Sequence, residues 1–203
     1  MSVPMFRGKR TLGLRLWHWA NSLLIAGMVL TVVLRDYLVN VREHAKAIQD
    51  LLGSAVTPDQ ARDVALSYKN ALWGWHVKMG LSLCALLALR VIVEFAAPKG
   101  SALCTKIKTA LSPAAGPNGK MVAAVKLSHA LFYLGLTAIL ATGVLLAYGR
   151  GWGMPDSLRG PIREVHETMM YAILAFVAAH VIGVVKAEVT TDPGLVSDMI
   201  HGG

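Results

Sequence analysis

Residues 165–189 read VHETMMYAILAFVAAHVIGVVKAEV, and their charged members, Glu167, Lys186 and Glu188, stand near the two ends. A membrane helix needs about 20 mostly apolar residues, and this run supplies them. It also carries two histidines, His166 and His180, 14 residues apart. On a helix that separation is a rise of about 21 Å and a rotation of about 1400°, some 40° short of four full turns. One helix therefore presents two imidazoles on one face, one near each end of the span. Ionisable groups inside a span are costly and are functional candidates by default. A lone histidine there also has a plainer reading, as a hydrogen-bonding group between helices.

Three further runs qualify on the same criterion: about Leu16 to Leu34, about Leu72 to Ala97, and about Met121 to Tyr148. None alternates as a barrel strand does, so the spans are helices. Composition agrees. The 203 residues are 55% hydrophobic and only 16% charged, and mean hydropathy is +0.52. Soluble domains carry about 25% charged residues. Disorder, a disulfide scaffold and a polar-coated globule are excluded. Cys84 and Cys104 are too few for a zinc site or a disulfide framework. The expected fold class is all-α: an integral membrane four-helix bundle forming a single domain over residues 1–203.

The net charge of +8 reads as span-flanking lysine and arginine rather than as a nucleic-acid surface. Arg7, Lys9, Arg10 and Arg15 precede the first span; Lys99, Lys106, Lys108 and Lys120 lie in the loop after the second. That bias, though slight, points to both termini on the cytoplasmic side. Arg35-Asp36-Tyr37 follows Leu34 with no small-residue cleavage site, so the first run reads as a retained helix and not a signal peptide.

The loop 35–71 is long enough to fold. Thr57-Pro58-Asp59-Gln60 spells a capping box with proline at the first helical position. Ala61, Val64, Ala65, Tyr68 and Leu72 follow at helical spacing. A weaker amphipathic pattern, Leu38, Val41, Ile48 and Leu52, precedes them. The expectation is an additional helical extramembrane loop of two helices, the second running into span two. It either caps the bundle, docks a partner or stands as a plain surface hairpin. After Asp192-Pro193, residues Leu195, Val196, Met199 and Ile200 give the tail 190–203 a short interfacial helix.

Of seven histidines, His18, His76, His129, His166 and His180 fall in or at the ends of spans, with hardly a carboxylate among them. A proton pathway would want acidic relays. Depth pairs the imidazoles instead. His18 opens span one and His180 lies late in span four, so they share one membrane side; His76 and His166 open spans two and four and share the other. Two stacked pairs, His18–His180 and His76–His166, are what six-coordinate haem b requires, one nitrogen on each face of the porphyrin. Gly80 and Gly183 leave room either for a flat macrocycle or for ordinary helix packing.

Arg15-Leu16-Trp17-His18-Trp19 resembles the start of the bacterial cytochrome b561 family, a superfamily that includes the cytochrome b subunits of membrane nickel–iron hydrogenases. The resemblance continues in Gly74-Trp75-His76-Val77-Lys78-Met79-Gly80 with Arg90, in Lys126-Leu127-Ser128-His129, and in Val165-His166-Glu167-Thr168 with His180. The tail Asp198-Met199-Ile200-His201-Gly202-Gly203 is similar to the hydrogenase-type end. The resemblance implies two haem b groups, with His18, His76, His166 and His180 as axial ligands to iron. Arg15, Lys78, Arg90 and Lys126 are candidates for haem propionates or, equally, for lipid headgroups. His129, Asn21 and Lys126 are candidate quinone contacts, and a propionate or packing role for His129 ranks higher.

The function implied is electron transfer across the bilayer between a redox partner (a cytochrome c, a hydrogenase or another dehydrogenase) and the quinone pool, in a protein whose form is compatible with a homodimer. A rival from the same family is a superoxide oxidase that reduces ubiquinone, with Arg150, Arg159 and Arg163 attracting the anion. A histidine-lined transporter is disfavoured by the lack of inverted repeats, broken helices and buried acids.

Overall fold

The computed structural model describes residues 9–96, 109 and 119–203. Arg7, Lys99, Cys104, Lys106 and Lys108 lie outside the described residues. Helix α1 (Leu12–Val33) runs into a π-helical turn (Leu34–Leu38); α2 (Val41–Leu52), α3 (Pro58–Ala96), α4 (Gly119–Tyr148), α5 (Arg159–Thr190) and α6 (Leu195–His201) follow. Among the described residues, four helices are long and apolar enough to cross a membrane. They contain the four runs read from sequence, the second as far as Ala96, and α2 is the extra helix between the first and second. Leu23, Leu134 and Ile182 are 72%, 69% and 67% exposed. Apolar surface on that scale is tolerable only against lipid.

The loop between spans one and two folds as its residues dictate. The Thr57 backbone N–H donates to Gln60 Oε1 at 2.9 Å, and the Gln60 N–H donates to Thr57 Oγ1 at 3.3 Å. This reciprocal box, with Pro58 at the first helical position, starts α3. Asn40 caps α2 by accepting from the N–H groups of Arg42 and Glu43. Gly53, at φ +53°, ends it in a conformation few side chains adopt. Ala61 and Ala65 are fully buried, small enough for a helix to lie against them. With 39 residues, α3 is about 58 Å long, nearly twice the ~30 Å hydrocarbon layer. Its first third, with Arg62, Asp63 and Lys69, therefore stands outside the membrane. Thr57→Ala should cost about 1 kcal/mol at this helix start. Limited proteolysis in micelles is the check: faster nicking between Leu52 and Ala61, with the membrane-embedded helices unaffected.

The chain divides into two compact units, one of residues up to Trp19 and from Ala85 onward, the other Ala20–Cys84. In the first, α4 and α5 pack side by side and antiparallel, with Leu136, Leu140 and Ile173 buried. The tail is docked rather than loose. The Glu188 carboxylate accepts the Gly194 and Val196 N–H groups, each at 2.8 Å, which supplies the donors that a helix start leaves open. The Arg10 N–H donates to the Gly202 carbonyl at 3.1 Å. The Arg15 guanidinium donates to the Ile200 carbonyl at 2.7 Å, and the Trp19 indole to that of Met199 at 3.2 Å. The start of α1 and the end of the chain thus meet, as an even number of spans requires. In the second unit, α1 and α3 pack reciprocally: Gly27 faces Met79, and Gly80 faces Met28. Gly80 therefore takes part in helix packing.

Candidate functional site

Three imidazoles gather in the first unit. The rings of His18 and His180 stand 6.3 Å apart, centre to centre, at 56°. His129 lies edge-on to His180 at 5.6 Å. Phe176, one turn before His180 on α5, stacks on it at 5.9 Å and 10°, and Phe132 stacks on Phe176 at 4.6 Å. Trp19 meets His18 edge-on at 5.4 Å. The shared depth read for His18, His129 and His180 is what the fold delivers.

Spacing tests whether an iron fits. An imidazole nitrogen binds a first-row metal at about 2 Å, and its ring centre lies roughly 1 Å behind, so two axial imidazoles set their centres roughly 6 Å apart. The His18–His180 separation agrees. A Cβ built on Gly183, one turn beyond His180, would meet nothing within 4 Å, so this flank is open to a planar group. Among the described residues no cluster of three or more His, Cys, Asp or Glu is placed to chelate a metal ion. The trio is not a zinc-type site. The His129 Nδ1 lies 2.6 Å from the Val125 carbonyl. A carbonyl only accepts, so Nδ1 holds the proton and the lone pair is on Nε2.

His166 and His76 sit in different surroundings, each with a threonine. His166, on α5, has its Nδ1 3.0 Å from Thr142 Oγ1 of α4, and its Cε1 lies 3.0 Å from where a Cβ on Gly143 would stand. His166 and His180 both face α4, one at each end of it, as the 14-residue spacing predicted. In the second unit, His76 Nδ1 is 3.0 Å from Thr31 Oγ1. The Trp73 ring lies flat on the His76 ring at 5.0 Å and 2°, with the Arg35 guanidinium 4.9 Å above that indole. Thr31, Thr142, Gly143 and Trp73 were not among the residues singled out from sequence.

The other candidates are placed as follows. Arg15 spends one nitrogen on the tail, while its Nε is buried without a hydrogen-bond partner among the described residues. Lys78 Nζ sits 4.9 Å over the Trp75 ring. Arg90 pairs with Glu94 at 3.3 Å and lies 5.8 Å from the Trp17 ring, whose indole donates to the Leu86 carbonyl at 3.1 Å. Asn21 is buried in the second unit, whereas Lys126 and His129 belong to the first. Arg150 pairs with Asp156 at 2.9 Å, and Arg159 donates to the Leu146 carbonyl at 2.9 Å.

A family model described as "Prokaryotic cytochrome b561" matches residues 9–202. The chain belongs to that family. No curated protein and no solved structure matches it significantly. The match takes in all four membrane-length helices and the docked tail. As a prokaryotic cytochrome b561 the chain is a multi-pass membrane b-type cytochrome, an electron carrier whose cofactor is haem b. Histidines within the helices are the ligand type that haem b takes.

Proposed function

We propose that this cytochrome is one functional domain holding two haem b groups, one between His18 and His180 and the other between His76 and His166. It passes electrons across the bacterial inner membrane between a redox partner protein and the quinone pool, with both termini cytoplasmic. The observation that carries the reading is the 6.3 Å separation of the His18 and His180 rings within one compact unit. The second pair rests on sequence position. Bound haem supplies reversible one-electron chemistry between ferric and ferrous iron. The protein's part is to present lone pairs from fixed rings, to exclude water with Phe132, Phe176 and Trp19, and to neutralise charge. The buried Arg15 Nε is a donor suited to a propionate. His129 directs an acceptor nitrogen away from its own helix and supports a quinol contact, with Lys126 and Asn21 as further candidates.

A cytochrome c, hydrogenase or dehydrogenase remains the favoured partner over superoxide. One of the three arginines named for that anion, Arg150, is paired with a carboxylate, that of Asp156, which leaves less free positive potential. The test of the main reading is a pyridine haemochrome assay on protein from haem-replete cells. Two haem b per chain is the expected result; one per chain sinks the second pair. Superoxide-driven haem reduction should be no faster than with free haem.

A further inference from the structure

We propose that Thr142 and Thr31 are positioning residues that fix which nitrogen of His166 and His76 binds iron, and thereby hold down the redox potential of the haem those histidines ligate. The inference rests on the reading of His166 and His76 as axial ligands.

A hydroxyl has one proton to donate. That of Thr142 goes to its own helix, to the Ala138 carbonyl at 2.8 Å, with the Ile139 carbonyl at 3.0 Å sharing it. Towards His166 Nδ1, at 3.0 Å, the oxygen has lone pairs only. Nδ1 must then carry the ring proton, which puts the lone pair on Nε2. Thr31 repeats the arrangement in the other compact unit. It donates to the Met28 carbonyl at 2.7 Å and meets His76 Nδ1 at 3.0 Å.

Threonines inside helices commonly bond back to their own turn. Thr137, bonded to the Tyr133 carbonyl at 2.8 Å and exposed, does so with no imidazole attached. The informative fact is that two such hydroxyls, on helices unrelated in sequence, aim their lone pairs at a histidine at one distance. His129 shows the alternative, a carbonyl of its own helix as acceptor. A threonine on a neighbouring helix ties ring orientation to helix packing. Accepting from Nδ1–H also raises the basicity of the ligating nitrogen, which favours ferric over ferrous iron.

The experiment is a spectroelectrochemical titration of the purified full-length protein with haem counted in parallel, for T142V, T31V and the serine variants T142S and T31S. Valine keeps the shape and removes the acceptor. One haem's midpoint should move positive in T142V and T31V while both haems stay bound, and serine should restore the wild-type value. Should valine expel haem, serine must restore both haem and potential. Unchanged midpoints in both valine variants, or serine variants that behave like valine, overturn the proposal. The underlying reading fails by a different sign: H166A and H76A would then retain the full wild-type haem content and spectrum.

Discussion

His180→Ala protein is expected to lose one of its two haem b groups, with His18→Ala losing the same one and His129→Ala losing neither. The prediction follows from geometry within a single unit. His180 is the common neighbour of the trio, 6.3 Å from His18 and 5.6 Å from His129, so its removal breaks both of these ring pairs. The two remaining histidines differ in what they offer. The His18 ring stands at the separation two axial ligands need. The His129 ring, at 5.6 Å, is also near that separation, but it is pressed edge-on against Phe176 at 5.8 Å, which suits a packing or quinone role. Alanine at 180 also leaves the Phe176 face uncovered, a cavity costing roughly 2–4 kcal/mol. Circular dichroism and elution volume in detergent must therefore accompany the haem count. The measurement is a pyridine haemochrome with the reduced-minus-oxidised α-band. If His129→Ala loses the haem and His18→Ala keeps it, His129 is the ligand. If His180→Ala keeps both haems, the cluster holds none.

What was legible in the sequence is what depends on a helix's own period or on depth along it. His166 and His180 share a face because 14 residues nearly close four turns, and both do face α4. His18, His129 and His180 share a membrane side because four spans alternate direction. The capping box at Thr57 is local, so it could be read to the residue. Two contacts passed over were equally local: Phe176 on His180 at four residues, and Trp73 on His76 at three, both spacings that place side chains together on a helix. Thr31, Thr142 and Gly143 are a different matter. Their roles depend on which helix lies alongside and how it is rotated, and a threonine in an apolar run gives no sign of that. Arg15 shows the same limit. The sequence offered propionate or headgroup, and the fold adds a third destination, the Ile200 carbonyl of the tail.

Gly143→Val is expected to strip the haem held through His166 while sparing the one at His180. A Cβ at 143 would stand 3.0 Å from His166 Cε1 and 3.6 Å from Nδ1, tighter than ordinary van der Waals contact. The imidazole must move, yet the 3.0 Å bond to Thr142 on the adjacent residue restrains it. Moving the ring turns Nε2 away from its aim. Alanine asks for a shift of a few tenths of an ångström; valine adds two methyl groups and removes that option. Overpacking of this kind costs about 1–3 kcal/mol, which as binding free energy is roughly a 5- to 150-fold loss of haem affinity. Backbone effects run the other way for alanine, which favours a helix by about 1 kcal/mol over glycine. A Gly143→Ala protein that is more resistant to thermal unfolding yet poorer in haem would isolate the steric term. Gly135, on the same helix with nothing within 4 Å of its would-be Cβ, is the control, and Gly135→Val should keep both haems. Haem occupancy and midpoint potential decide the matter. Full occupancy with unchanged potentials in Gly143→Val would mean that His166 is not a ligand, and with it the second site would fall.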